Sequence, residues 1–352
     1  MVPVALPGRP RPLLTSHSVR LCRRSGVTFA VRAVSCVRPR IPLDRKKPMT
    51  LSVVVGAGGV GTLTAQLLAD AGHEVRLITR SGSGPRDRRI ECLAADAGDT
   101  ARLIELTSGA ETLFNCAAPP YHRWRTELLP LFGSLLRAAE ATGAGYVMLG
   151  NLYGYGAPTA PMTEDLPMTP NSVKGRVRAQ AWQEASAAYA AGRVRVTEVR
   201  ASDFLGPGAR STFAVMVAAK VLSGKTAMLP GDLEAPHSWT STADAARTLI
   251  ALAEDDRAWG RAWHVPTNPP VSPRQLAERL ARVAGAPAPT LRRMPAWMLR
   301  AGGLTSPVVR ELREVQYQLD RPFVIDSSLT EQTFGLAPTP LPDILHSMVA
   351  AS

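Results

Sequence analysis

From residue 51 onward, short runs of β-branched and other apolar residues alternate with longer stretches in which apolar positions recur every three or four residues. The first pattern, in 51–55, 74–79, 90–94, 112–115, 146–149 and 194–199, predicts buried strands, and the second, in 61–71, 101–108, 127–142 and 173–191, predicts helices. In 127–142, Leu128, Leu131, Leu135 and Leu136 fall on one helical face, which must lie against the sheet. Strands separated by helices are joined by crossovers, so the pattern predicts an α/β fold built on a Rossmann-type, doubly wound parallel sheet.

After about residue 200 the alternation breaks and Pro and Gly crowd in, at Gly206, Pro207, Gly208, Pro230, Gly231 and through 266–273. This predicts a smaller C-terminal mixed α/β substrate lobe. The expected organisation is a dinucleotide-binding domain over 49–200 and a lobe over 201–352, with elements that return to the sheet. Within the lobe, 242–254 and 272–284 read as helices. Ser272 and Gln275 have the spacing of a capping box, with Pro273 at the first helical position, where its missing N–H costs nothing.

The net charge of +12 points to an anionic partner until its distribution is considered. Residues 1–48 hold eleven Lys and Arg against the single acid Asp44, which is +10 of the +12. The remainder is nearly neutral, so no nucleic-acid partner is expected. The basic stretch precedes Met49 and reads as a disordered extension. Three origins compete: a start codon assigned too early with Met49 the true first residue, a cleaved organelle-targeting segment, or a basic arm for an anionic partner. No run of about 20 apolar residues exists, so no membrane span is expected, and a cytoplasmic protein is the main reading. Cys22, Cys36, Cys92 and Cys116 have neither disulfide nor zinc spacing, and no metal site is expected.

The chemistry begins at Gly56-Ala57-Gly58-Gly59-Val60-Gly61, directly after the first strand and opening a helix. In that context GxGxxG is a dinucleotide fingerprint: Gly56 makes the turn, Gly58 lets a pyrophosphate approach, and Gly61 packs helix on strand. The phosphates then meet free N–H groups at the positive helix end, including those of Gly59 and Val60. At the end of the second strand an acid would select NAD, but the chain has Arg80, followed by Ser81 and near Arg86, Arg88 and Arg89. An arginine there suits a 2′-phosphate, so NADP(H) is expected over NAD(H).

Several patches together resemble the extended short-chain dehydrogenase/reductase superfamily, in particular the NAD-dependent epimerase/dehydratase family, from Thr50 to about Leu345. They are the glycine loop, with Thr62 where the extended type would carry its last Gly; Ala95-Asp96; Asn115-Cys116-Ala117-Ala118; Arg200 through Gly206-Pro207; and His237-Ser238-Trp239-Thr240 with Asp244. The resemblance implies that Asp96 contacts the adenine and that Ala117 lies under the nicotinamide ribose. It also implies a helix-pair homodimer through 127–142 and 173–191.

The family's acid/base set is a Ser or Thr, a Tyr, and a Lys four residues later. On the resemblance, Asn151 stands at the Ser/Thr position, Lys174 at the Tyr position and Arg178 at the Lys position; no Tyr-x-x-x-Lys occurs in the chain. Asn151 can orient an oxygen but cannot relay a proton as Ser does. Arg178 can bind and polarise but not deprotonate. Lys174 is a candidate proton carrier if desolvation and Arg178 depress its pKa, or else an anchor for cofactor or substrate. Tyr153 is a candidate substitute acid, although packing beneath the loop is the simpler reading for it and for Tyr155. His264 reads as a lobe strand residue, and Glu164 and Asp165 as loop-shaping. The expected function is an NADP(H)-dependent oxidoreductase or epimerase/dehydratase-like enzyme on a small carbonyl- or hydroxyl-bearing metabolite. The alternative is a non-catalytic NADP(H)-binding sensor or regulatory protein.

Overall fold

The computed structural model describes residues 50–351. The basic stretch 1–48, with Cys22, Cys36 and the readings attached to them, lies outside the described residues. In chain order the elements are β1 (Leu51–Val55), α1 (Gly59–Asp70), β2 (Glu74–Thr79), β3 (Ile90–Ala94), α2 (Thr100–Thr107), β4 (Ala110–Asn115), α3 (Trp124–Thr142), β5 (Gly145–Asn151), α4 (Val173–Ala190), β6 (Val196–Ala201) and β7 (Asp203–Leu205). There follow α5 (Ala219–Leu222), β8 (Ala227–Leu229), β9 (Trp239–Ser241), α6 (Thr242–Ala253), β10 (Ala262–His264), α7 (Pro273–Ala284), β11 (Leu291–Arg293), α8 (Ala296–Thr305), α9 (Pro307–Leu312), α10 (Tyr317–Asp320), α11 (Ser328–Phe334) and α12 (Leu341–Ala350).

Seven strands form one parallel sheet in the order β10-β6-β5-β4-β1-β2-β3. Strand order reverses between β1 and β4, so the crevice for a ligand opens beyond the carboxyl ends of those two strands. Alternate residues of each strand feed two cores. Val53, Val55, Leu113, Tyr146 and Met148 pack with α2, α3 and α4, whereas Val54, Leu77, Phe114, Val147 and Val199 pack with α1 and α6. A sheet covered on both faces explains why its strands read as continuous apolar runs.

Boundaries moved where local chemistry outweighed periodicity. α1 starts at Gly59 rather than 61 because Gly58 takes the N-cap with extended backbone. α3 starts at Trp124, prolonged by a short 3-10 turn at Tyr121–Arg123. β5 runs on to Asn151, and β6 spans Val196–Ala201 instead of 194–199.

Beyond residue 202 two short parallel ribbons, β7 with β9 and β8 with β11, combine with α5, α7 and α12 around Phe213, Val217, Trp239, Leu276 and Leu345. The capping box at Ser272 and Gln275 is formed. One expectation is corrected: His264 belongs to the main sheet, where β10 pairs in parallel with β6 as the seventh strand. Its three residues were too few to show a period.

Candidate active site

The glycine turn joins β1 to α1 at the switch point. Gly56 has φ +101°, which only glycine adopts freely, and a β-carbon there would stand 2.8 Å from the Ala117 backbone. The turn and the end of β4 are therefore in contact through Gly56 and Ala117. A β-carbon on Gly61 would collide with the Gly56 carbonyl oxygen. Gly58 differs, because nothing lies within 4 Å of the place its β-carbon would take. The open side of Gly58, at the amino end of α1, is where a phosphate can approach backbone N–H groups in the field of the helix dipole. The neighbouring Gly59 side is closed by the lobe loop at Pro207 and Gly208.

Arg80, at the exposed end of β2, forms no hydrogen bond or ion pair among the described residues. Arg89 is already committed to Asp87 at 2.6 Å and Asp70 at 2.8 Å. Of the arginines near that strand end, Arg80 rather than Arg89 is therefore available to an incoming anion. Asp96, exposed after β3, takes the Gly98 N–H on one carboxylate oxygen.

At the next strand end, Asn151 closes β5 and accepts the Tyr153 N–H at 3.2 Å, which fixes the start of the Tyr153–Tyr155 turn. Tyr153 is half-buried and its hydroxyl accepts a hydrogen bond from the Tyr121 hydroxyl at 3.3 Å. Burial, followed by the nearby Asp203 charge, raises the Tyr153 phenol above its ordinary value, while the Tyr121 and Gln318 hydrogen bonds and Arg178 oppose that shift. Tyr155 is a packing residue: its buried hydroxyl lies 2.8 Å from His264 Nε2 and accepts from Arg200 at 2.7 Å. Since His264 Nδ1 lies 2.7 Å from the Asp326 carbonyl, which can only accept, the proton sits on Nδ1 and Nε2 accepts from Tyr155.

Lys174 lies at the first turn of α4, 2% exposed, with its ammonium paired to Glu311 and, at 2.8 Å, to Glu314. Glu314 also accepts the Val173 and Lys174 N–H groups at the amino end of α4. Two carboxylates, not Arg178, are therefore the immediate electrostatic partners of Lys174. One turn on, the Arg178 guanidinium lies 4.4 Å from the Trp124 ring centre and 5.1 Å from that of Phe132, and donates to the Leu149 carbonyl at 3.2 Å. Its buried Nε has no hydrogen-bond partner, and desolvation pulls its pKa down from the ordinary value.

The same end of the sheet gathers groups that sequence periodicity gave no reason to select. Tyr121, beyond Pro119 and Pro120, lies under Lys174 with Nζ 4.5 Å from its ring centre. His237 Nε2 is 3.1 Å from Asp203 Oδ2, outside hydrogen-bonding geometry. Glu311 and Glu314 also line a cavity of about 480 Å³, together with Arg300, Arg310, Arg313 and Gln316. With Lys174 offsetting one of the two carboxylates, the three arginines leave this region net positive. Among the described residues no cluster of His, Cys, Asp and Glu fits a metal ion, and no helix is long and apolar enough to cross a membrane.

A doubly wound parallel sheet with a glycine turn opening a helix at its switch point defines a dinucleotide-binding Rossmann protein. A model of the NAD dependent epimerase/dehydratase family matches residues 52–265, and the chain belongs to that family. Over 273 residues it is 24% identical to the UDP-glucose 4-epimerase of Corynebacterium glutamicum, covering 68% of this chain and 82% of that protein. Among solved structures it is similar to UDP-N-acetylglucosamine 4-epimerase from Methanobrevibacter ruminantium in complex with UDP-N-acetylmuramic acid (TM-score 0.72, 16% identity, 87% of this chain and 98% of that one). It is also similar to a double mutant of dTDP-glucose 4,6-dehydratase from Streptomyces venezuelae with NAD bound (TM-score 0.69, 21% identity, 86% and 96%). The structural likenesses establish the fold.

Proposed function

We propose that the protein is a nicotinamide-dinucleotide-dependent enzyme of the oxidoreductase or epimerase/dehydratase type, acting on a small hydroxyl- or carbonyl-bearing metabolite of the nucleotide-sugar class. The observation that carries this reading is the glycine turn, closed around Gly56 and Gly61 and open at Gly58. Gly56, Gly58, Gly59, Val60 and Gly61 would hold the pyrophosphate, Asp96 the adenine and Ala117 the nicotinamide ribose. Arg80, with no acid beside it, favours NADP(H) over NAD(H) by offering a charge-assisted bond to a 2′-phosphate. When bound, the cofactor supplies hydride transfer to and from a substrate carbon.

The protein's own contribution is orientation and proton handling. Asn151 orients a substrate oxygen and Tyr153 exchanges a proton with it. Lys174 and Arg178 anchor the wall around these groups rather than act as bases, Lys174 through Glu311 and Glu314 and Arg178 through Trp124 and Phe132. Support for an anionic substrate comes from the unpaired arginines of the cavity beside Lys174, and from relatives whose names carry UDP- and dTDP-sugars.

A second reading, an NADP(H)-binding regulatory protein without turnover, is favoured by one observation. Both positions that resemble the catalytic Tyr and Lys are committed, Lys174 to two glutamates and Arg178 to two aromatic rings. Fluorescence titration of the full chain with NADPH and NADH, followed by turnover assays with UDP-glucose and UDP-N-acetylglucosamine, separates the readings. Cofactor binding with turnover is expected; binding without turnover of any nucleotide sugar selects the regulatory protein, and no binding of either cofactor removes both.

A further inference from the structure

We propose that Tyr121 and Tyr153 form a two-phenol proton relay, with Tyr121 the positioning residue that returns a proton to Tyr153 and is itself reprotonated from solvent. The inference rests on the enzyme reading above and assigns Tyr121 a role that no motif in the chain suggests.

The geometry begins at β4. Asn115 accepts the Ala117 N–H and donates to the Tyr146 hydroxyl at 2.8 Å, which fixes the end of the strand. Pro119 and Pro120 stiffen the exit, and the Pro119 carbonyl accepts the Trp124 indole N–H at 3.0 Å. Trp124 is then the wall of the relay, edge-on to Tyr121 at 5.1 Å between ring centres and 6.0 Å from Tyr153. Both phenols are thus held by packing, on successive strand ends at the mouth of the crevice, and their oxygens are 3.3 Å apart with Tyr121 donating.

The direction of that bond decides the order of transfer. An O–H donated to Tyr153 stabilises the Tyr153 phenolate and is itself made harder to remove, so Tyr153 is the first to release its proton. The Tyr153 O–H bond breaks, its proton passes to the substrate oxygen, and the electron pair stays on the phenol oxygen. Tyr121 gives its proton to Tyr153 as a solvent proton reaches Tyr121, so no phenolate is left beside Asp203 and Glu314, and the Lys174 ammonium 4.5 Å over the Tyr121 ring centre holds the ring in place. The opposite reaction runs the same route backwards. The balancing hydride belongs to the nicotinamide dinucleotide of the proposed function.

The surrounding charges keep both phenols protonated at rest. Burial raises both above the ordinary tyrosine value, and the Asp203 carboxylate adds to the rise in each, with Glu314 acting on Tyr121. Arg178 pulls Tyr153 the other way, and the neighbouring Tyr317 hydroxyl, buried without a partner, is neutral. The family arrangement implied by the resemblance, a tyrosine with a lysine from the same helix, is in this chain two residues from different elements. Lys174 occupies the helical position, and the phenols come from the loops after β4 and β5.

The test replaces Tyr153 by a difluorotyrosine, whose more acidic phenol brings the titration down in pH, and follows its fluorine resonance with pH in the cofactor-free full chain. Tyr121→Phe keeps the ring, the Trp124 contact and the Lys174 contact while deleting the donor. It is expected to raise the Tyr153 titration by about 0.5–1 pH unit. In turnover with the nucleotide sugar accepted by the wild type, Tyr121→Phe should lower kcat about 10- to 100-fold and shift its pH profile, with KM and NADPH affinity within about twofold. An unmoved fluorine titration overturns the relay, as does a full kcat in Tyr121→Phe. Intact NADPH binding with no wild-type turnover instead overturns the enzyme reading on which the relay stands.

Discussion

Gly59 and Gly208 face each other with no room for a side chain on either. A β-carbon on Gly59 would stand 2.8 Å from the Gly208 carbonyl oxygen, and one on Gly208 would stand 2.7 Å from the Gly59 α-carbon. The loop after β7 is therefore seated on the first residue of α1, the helix that the glycine turn opens. Gly59→Ala is expected to force the two backbones apart and to lower stability by about 1–3 kcal/mol, as overpacking does elsewhere. Urea unfolding of the variant measures this, and an unchanged midpoint would show that the loop moves away freely.

Gly58 should respond in the opposite manner. With open space around it, Gly58→Glu is expected to leave the fold intact and to set a carboxylate where the proposed pyrophosphate would lie. NADPH affinity is expected to fall by more than about tenfold, or 1.4 kcal/mol, with thermal stability unchanged. Equal losses of both would mean that Gly58 is needed for folding instead.

Arg80→Ala is expected to weaken NADPH by about 1.5–3 kcal/mol, the usual worth of a hydrogen bond to a charged group, and to leave NADH nearly untouched. The ratio of the two dissociation constants is the measurement. Equal weakening of both cofactors would remove Arg80 from the 2′-phosphate and leave the NADP(H) preference without a carrier.

Removing Lys174 alone leaves Glu311 and Glu314 facing each other without their cation. Each glutamate keeps about a quarter of its side chain exposed, 27% and 24%, so water screens part of the cost. Lys174→Met should destabilise by about 1–3 kcal/mol, less than for a fully buried pair. Adding Glu311→Gln and Glu314→Gln to that variant should recover most of the loss in chemical denaturation. Further destabilisation by the added changes would show that the glutamates stabilise the fold through other contacts.

Acid sensitivity has a specific source in His264. Burial lowers its pKa to about 3, whereas the unfolded chain takes up that proton near the ordinary value of 6.5. Between those values the unfolded state holds more protons, so stability rises with pH across the window and is lost as pH falls through it, by about 1.4 kcal/mol per pH unit at most. His264→Gln should flatten the slope of unfolding free energy between pH 6 and pH 4. A slope unchanged by the substitution would place the acid sensitivity elsewhere.

These residues also show what a sequence can and cannot display. The order of β1 to β6 and the glycine turn were legible because each strand buries both faces and the turn obeys a fixed spacing. Asn151 and Tyr153 were singled out through the resemblance, and Asn151 accepts the Tyr153 N–H at the end of β5. Tyr121, Asp203 and Gln318 were not singled out, because they reach the same place from the turn before α3, from β7 and from α10, and no period links them. Glu311 and Glu314 lie 137 and 140 residues from Lys174, so the charge environment of that lysine was invisible in the sequence around it. The three residues of β10 failed for a simpler reason, since so short a strand carries no alternation.

That last strand matters before the protein is complete. β6 finishes at Ala201, yet its outer edge is covered only by Ala262–His264, some sixty residues later. A ribosome adding about 5–20 residues per second leaves that edge bare for several seconds after the other six strands have been made. An unpaired edge, here Val196 to Ala201 with Glu198 and Arg200 among its residues, is an invitation to pair with another chain. The nascent protein therefore passes through its most aggregation-prone stage while the lobe is being translated, and slower translation between residues 202 and 261 would lengthen that exposure.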